Sequence, residues 1–456
     1  MQTVTENTLA PISPSDRDAG FISLVLLWAG GNILLATFMV GSYYAEGLGL
    51  WPMVLISITA NLFAYAVCAV SSQRGARYGL DEVVALRPAF GMKGAYYGAF
   101  VLIFINFGWI GLLSSMTGTA AVNASEVFLG ESFSFSGNYT VYAVGGGLLI
   151  PMFLVMLTPK ASFYLSTVTV PVLGGFSIYI LFKIMNSEHM AAVSNFKPTG
   201  AVGIAFAVET CVVWAVAWQP YLGSWNKFAS SERNAYWGTF IGLAVIGIIF
   251  AITGGIATLA TGEIDPAVWA VKLELGLISM IIIILGTITT SSLLLYSGVM
   301  AFMSIFPKFN YKLTTAIVAL PSLVFIYDAE LQNLFGIILL FVGLLAGPYW
   351  AISIADYVFL RKGIINVKEC YEEHGIYRFY NGFNVYAFAA QLSGMLLWLF
   401  LGGWLSGYSI LSFGWGESAF SYISATVPSM LVAAGVYVTL VKVFQHRSER
   451  LVKSYE

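Results

Sequence analysis

The residues able to do chemistry in this chain are aromatic and neutral polar side chains set inside apolar stretches. The segment Val208 to Phe228 reads VETCVVWAVAWQPYLGSWNKF and brings Trp214, Trp218, Gln219, Tyr221, Ser224 and Trp225 together around Pro220. Ring faces of this kind stack a flat solute for about 1–3 kcal/mol per base, and the amide and hydroxyl groups offer hydrogen bonds. Pro220 has no N–H and clashes with the preceding turn, so one or two upstream carbonyls lose their helical partners. The same pattern also fits a Pro-kinked helix with aromatic packing. In FINFGWIG, Asn106 and Trp109 stand one turn apart on one helical face. They suit bonding and stacking of one planar ligand, or equally an Asn bonded across helices beside a packed Trp. LGTITTSSLLLY gathers Gly286, Thr287, Thr289, Thr290, Ser291 and Ser292. Hydroxyls this dense either bond back to helix carbonyls or serve as hard oxygen ligands for a small cation, with the Gly286 carbonyl left accessible.

A further set lies near the N-terminus, where Trp28-Ala29-Gly30-Gly31-Asn32 is followed by Thr37 and Gly41. The glycines suit close helix packing, and they also weaken a helix beside a buried amide. Paired carboxylates, a Ser/His couple and a metal cluster are all missing from the apolar stretches, which argues against an enzyme. His189, His374 and His446 lie outside those stretches, and the three cysteines, Cys68, Cys211 and Cys370, form no disulfide framework or CxxC site. Glu209 falls within about two turns of a span's outer end and is expected to reach water; a carboxylate held deeper would be a functional candidate.

The elements positioning these groups follow from composition. The chain is 58% hydrophobic and 10% charged, against roughly 25% charged in soluble domains, and its mean hydropathy is +0.81. That defines an all-α polytopic membrane protein. Apolar runs long enough to cross roughly 30 Å give about twelve spans: 20–45, 51–72, 94–123, 140–159, 163–186, 203–227, 235–261, 270–303, 313–327, 331–359, 383–405 and 420–444. With both termini cytoplasmic, all of the 21 Lys and Arg except Lys183, Lys197 and Lys272 fall on the inner side, as the positive-inside rule requires. The formal charge of −2 and the lack of a basic domain leave nothing to bind nucleic acid.

Gly- or Pro-interrupted spans five apart, here spans 1 and 6, point to an inverted-repeat transporter with its site at the midplane. The expected division is a cytoplasmic tail over 1–19, a ten-helix transport core over 20–360 with repeats 20–186 and 203–360, a cytoplasmic loop over 361–382, two further helices over 383–445, and a tail over 446–456.

Several motifs resemble the nucleobase:cation symporter-1 family, the purine–cytosine permeases, over nearly the whole chain. The most specific are GPYWAISIADYVFLRKG with VKECYEEHGIYRFYNGFNVYA between Gly347 and Ala387, RGARYGLDEVVALRPAFGMKGA between spans 2 and 3, and PVLGGFSIY in span 5. The resemblance implies a LeuT-type 5+5 inverted repeat plus two C-terminal helices, and transport of nucleobases or related heterocycles with Na⁺ or H⁺. By that likeness Trp109 is the stacking tryptophan of span 3, and Asn106 stands where cytosine permeases have a base-bonding glutamine. Thr289 and Thr290 are cation hydroxyl ligands, and Gly286, Gly30 and Ile33 supply carbonyls to the same ion. Trp214 or Trp218 is the second stacking ring, and Gln219 is a further amide contact. Ser224 replaces the family's usual aspartate and Ser291 a common asparagine, which weakens the case for cytosine.

The expectation is a cation-coupled symporter of the inner or plasma membrane. It imports a small planar heterocycle, a purine or pyrimidine base, by alternating access, with Na⁺ or H⁺ as coupling ion and the bilayer as its other partner. A hydantoin, allantoin or thiamine-like vitamin carrier is the alternative within the family. A passive channel or facilitator is the alternative outside it.

Overall fold

The first apolar stretch does not run as one helix. In the computed structural model, which describes residues 9–129, 138–158, 161–327, 340, 342–403 and 422–444, it divides into α1 (Phe21–Asn32) and α2 (Leu35–Leu48). The pair is bent by 60°. Ile33, at ψ 81°, and Leu34, at φ −144° and ψ 162°, leave the helical region. The turn therefore exposes carbonyls that a continuous helix would consume.

The chain continues through α3 (Leu50–Cys68), α4 (Ser72–Tyr78), the connecting helix α5 (Glu82–Phe90) and the long α6 (Ala95–Leu129). Helix α7 (Tyr139–Leu157) is wound as a π-helix over Ala143–Leu149, and α8 (Ala161–Met185) and the short α9 (His189–Asn195) follow. The Pro220 stretch is interrupted: α10 (Ile204–Val216) and α11 (Leu222–Asn226) are separated by a 3₁₀ turn over Gln219–Tyr221. Without the Pro220 N–H the ladder tightens, with Trp218 N–H donating to Ala215 O and Tyr221 N–H to Trp218 O. Next come α12 (Glu232–Thr261), α13 (Pro266–Lys272), α14 (Gly276–Ile305) and α15 (Tyr311–Ile326). The last three are α16 (Val342–Leu360), α17 (Val385–Leu401) and α18 (Thr426–Phe444).

The protein is all-helical in its described regular elements apart from two isolated bridges. Eight described helices are long and apolar enough to cross a bilayer, and the α1–α2 pair makes a ninth crossing when counted as one. The eighth expected span begins later than its apolar run suggested. Glu274 sits at φ 52° and separates α13 from α14. Parts of the expected spans (159, 331–339, 341, 404–405 and 420–421) and of the tails (1–8 and 446–456) lie outside the described residues.

The helices sort into two groups. Helix α12 lies along α1, α2 and α3, with α10 against α2 and α3, while α14 lies along α6, α7 and α15. Helix α8 touches both α1 and α14, and α18 packs on α16 and α17. The first group is drawn together by missing side chains. A Cβ at Gly41 would collide with the Ala251 carbonyl, and one at Gly254 with the Phe38 carbonyl. Helices α2 and α12 thus meet backbone to backbone, as small residues permit in a membrane interface.

At the end of the molecule carrying α4 and α5, buried charges bind the groups together. Arg74 donates to Glu82 at 2.9 Å and also to Ser353, while Glu82 accepts from Gly223 N–H at 2.8 Å and from Trp350 Nε1 at 2.8 Å. Lys227 pairs with Asp81 at 3.1 Å, and Arg361 with Asp356 at 2.6 Å. Breaking one partner of such a pair is strongly destabilising because it leaves a buried charge uncompensated.

Filling the α2–α12 contact tests the packing. Gly41→Leu is expected to abolish recovery of monodisperse protein in fluorescence-detected gel filtration. Gly174→Leu, at a position where a Cβ meets nothing within 4 Å, is expected to leave the profile unchanged.

Candidate substrate and cation site

The break in α1–α2 places the Asn32 side chain at the centre of a hydrogen-bond cluster. Its Nδ2 donates to Tyr65 Oη at 3.0 Å and to the Leu243 carbonyl at 2.8 Å. Its Oδ1 accepts from Trp214 Nε1 at 3.0 Å and from Trp218 Nε1 at 3.2 Å. One fully buried amide therefore fixes two indoles of the interrupted Pro220 segment against the broken first stretch and α12. Thr37 Oγ1 closes the turn by donating to the Asn32 carbonyl at 2.6 Å.

Those indoles wall a cavity lined by Leu34, Trp109, Trp214, Trp218, Tyr221 and Thr290, among others. Trp109 meets Trp214 edge to face, with centroids 5.3 Å apart and planes at 84°. Trp218 is likewise perpendicular to Trp28. The cavity measures about 20 Å³, room for about one water, whereas ligand pockets run to roughly 300–1,000 Å³. A heterocycle enters only when the lining rings move apart.

Of the residues expected to hold a cation, Thr290 and Gly286 lie against the break beside this chamber, and Thr289 is turned to its own helix. Thr290 Oγ1 donates to the Gly31 carbonyl at 2.9 Å and approaches the Gly30 carbonyl at 3.4 Å. A Cβ at Gly286 would sit 2.8 Å from the Ile33 carbonyl oxygen, so only glycine lets α14 approach the break this closely. Thr289 Oγ1 donates to Leu285 O at 2.9 Å along its own helix. The Gly30 and Gly31 carbonyls and the Thr290 hydroxyl thus gather uncharged oxygens at the break, a ligand type suited to a cation. Thr290 both lines the aromatic cavity and touches the freed carbonyls.

The other residues expected to meet a ligand are placed differently. Asn106 is buried with both ends of its amide engaged, donating to Leu294 O at 2.7 Å and accepting from Tyr221 Oη at 2.7 Å. It braces the cavity wall. Gln219, Ser224 and Ser291 are fully or almost fully buried, with side-chain polar atoms that have no partner among the described residues. Buried polar groups are rarely left unmatched. Asn32 was visible in the sequence as an amide beside two glycines, but its tie to both tryptophans was not.

Glu209 corrects an expectation. It does not reach water: it is 4% exposed, and its carboxylate accepts from Thr426 N–H at 3.0 Å and Thr426 Oγ1 at 2.6 Å. It caps the start of α18, which covers it.

The helical arrangement and the oxygen and indole lining describe a membrane transporter of the broken-helix type. Residues 11–417 match the family described as permeases for cytosine/purines, uracil, thiamine and allantoin. The chain is 25% identical to the allantoin permease of Bacillus subtilis over 429 residues, covering 86% of each chain. It is 24% identical to the purine-uracil permease NCS1 of Arabidopsis thaliana, covering 95% of this chain and 77% of that one. Among solved structures, Mhp1, a nucleobase-cation-symport-1 family transporter in a closed conformation with bromovinylhydantoin bound, superposes with a TM-score of 0.81 at 17% identity, covering 98% of both chains. The inward-facing conformation of Mhp1 gives 0.74 at 18% identity, covering 98% and 96%. This chain belongs to the nucleobase:cation symporter-1 family and has its LeuT-type fold.

The cap on α18 yields a stability test. Glu209→Leu leaves the Thr426 N–H and O–H donors without their acceptor, at about 1–3 kcal/mol for a buried unpaired group, while the hydroxyl oxygen still accepts from Trp398 Nε1. It is expected to lower the thermal unfolding midpoint of the purified protein clearly more than Glu209→Gln, which keeps an acceptor. Equal midpoints for the two variants would show that the carboxylate does not hold the helix.

Proposed function

We propose that this protein is a secondary active transporter that imports a purine or pyrimidine base together with Na⁺ across the cell membrane, with both termini cytoplasmic. The observation carrying this reading is the chamber walled by Trp109, Trp214 and Trp218 where the two interrupted spans meet, with Thr290 shared between it and the carbonyl cradle. Stacking on two rings at about 1–3 kcal/mol each accounts for a large share of a micromolar affinity of roughly −8 kcal/mol. Gln219, Ser224 and Ser291 do not line the closed cavity, but their unmatched buried groups make them the polar contacts proposed for the base once the rings part.

Sharing Thr290 gives the coupling a physical route. A cation among the Gly30, Gly31 and Ile33 carbonyls takes a lone pair of the Thr290 hydroxyl and turns its hydrogen away from Gly31, which changes the surface facing the solute. Na⁺ is favoured over H⁺ because no carboxylate, histidine, lysine or arginine among the described residues lines the cavity. Glu209, the nearest candidate proton carrier in the Pro220 segment, is committed to Thr426.

A second reading within the family, an allantoin, hydantoin or thiamine-like solute, is favoured by Ser224 and Ser291 standing where the family more often has aspartate and asparagine. Competition of labelled base uptake by allantoin, hydantoin and thiamine separates the two. Accumulation against a gradient separates either from a passive facilitator.

Two measurements test the site. Trp109→Ala is expected to lower base uptake into proteoliposomes at least tenfold at unchanged protein recovery; uptake at the parental rate would remove Trp109 from the site. Thr290→Val, isosteric but lacking the hydroxyl, is expected to raise the Na⁺ concentration for half-maximal uptake at least tenfold. Transport that ignores Na⁺ and follows a pH gradient would overturn the Na⁺ assignment.

A further inference from the structure

A second and larger cavity, of about 750 Å³, opens at the α4–α5 end of the molecule and shares no lining residue with the aromatic chamber. Its walls come from α5, the start of α6, the end of α14, the loop before α17, and the N-terminal segment at Leu9. Tyr371 Oη ties that segment down by donating to the Leu9 carbonyl at 2.7 Å.

The lining is basic. Arg87, Lys93 and Arg378 face it, against one carboxylate, Glu373. Among the described residues Glu373 forms no ion pair with any of the three. The Lys93 side chain is exposed and has no hydrogen-bond or ion-pair partner among them either, and the Arg378 guanidinium bonds only His374 Nδ1 among them, at 2.6 Å.

Arg87 is the unusual member. Four cationic side chains are buried among the described residues: Arg74, Arg87, Lys227 and Arg361. Three of them hold a carboxylate at 2.9, 3.1 and 2.6 Å. Arg87, only 7% exposed, holds none among them. Its Nη1 donates to the Cys370 carbonyl at 2.7 Å, its guanidinium lies 5.9 Å from the Tyr371 ring centre, and its buried Nε has no partner among the described residues. Burial pushes the Cys370 thiol up to about 12, so that side chain stays uncharged at neutral pH and supplies no counter-charge. A buried cation without an anion is costly, and here it borders a space large enough to admit one.

We propose that this cavity is a binding site for a phosphoryl anion, held by Arg87 with Lys93 and Arg378. A guanidinium fork matches phosphate oxygens, and ammonium groups add point charge. The chemistry is common to an anionic lipid headgroup and to a soluble phosphate; basic pockets between membrane helices take the former. The occupant joins α5, the starts of α6 and of the N-terminal segment, and the end of α14, so binding stabilises the folded chain by mass action.

The test uses the purified full chain in phosphate-free detergent, with unfolding midpoints read from tryptophan fluorescence. The probes are pyrophosphate and dioctanoyl phosphatidylglycerol; the controls are potassium chloride at matched ionic strength and dioctanoyl phosphatidylcholine. At least one probe is expected to raise the midpoint saturably by several degrees beyond its control. In the Lys93→Gln/Arg378→Gln double variant, which leaves every buried ion pair intact, the half-saturating concentration is expected to rise at least tenfold. Arg87→Lys is expected to weaken the response less than Arg87→Gln, because it keeps the charge and loses the fork. A response to pyrophosphate assigns a soluble phosphate as occupant, and a response to phosphatidylglycerol alone assigns a lipid headgroup. No shift beyond the controls, or the same half-saturation in the double variant, overturns the proposal.

Discussion

The geometry of the aromatic chamber depends on the side-chain amide of Asn32. A neutral amide offers two donors and an acceptor with two lone pairs, and here all four are used, on Tyr65, Leu243, Trp214 and Trp218. In a membrane interior an unmatched polar group is expensive, so this satisfied hub locks two tryptophan rotamers and the α1–α2 bend in one arrangement. Replacing the amide by a hydrocarbon would take the shared Oδ1 acceptor from two indole N–H groups at once. The break in the backbone and the aromatic walls are therefore one construction.

The freed carbonyls extend that construction to α14. Thr290 takes the Gly31 carbonyl, and Gly286 lets the helix come within reach of Ile33. The polar groups of the site are accordingly neutral, and the charges of the protein are concentrated elsewhere, in the buried pairs at the α4–α5 end. That separation suits a chamber for uncharged, flat solutes, whose recognition rests on ring stacking and on a few directed hydrogen bonds.

Much of this was legible in the sequence. Apolar runs mark the helices, and Pro220 marks one break; the other falls at Ile33–Leu34, just past Gly30-Gly31-Asn32, which stay helical. What sequence could not supply was partnership across distance. Asn32 meets Trp214 and Trp218 from 182 and 186 positions away, and no local period encodes that. Asn106 and Trp109 share a helical face, which suggested a common ligand, yet the Asn106 amide is engaged by Tyr221 and Leu294. Glu209 was expected near water because its depth was counted along its own span. Its burial depends on α18, which begins 217 residues later. Helix α14 starts late because Glu274 adopts a left-handed backbone, a turn that hydropathy does not register.

The glycine contact between α2 and α12 has a mechanical consequence. Two backbones in direct touch, at Gly41 with Ala251 and Gly254 with Phe38, have no layer of flexible side chains between them to shear. Sliding of one helix past the other is resisted at these two points, so an opening of the chamber would fall to the joints that lack a regular helical ladder, residues 33–34 and 218–221.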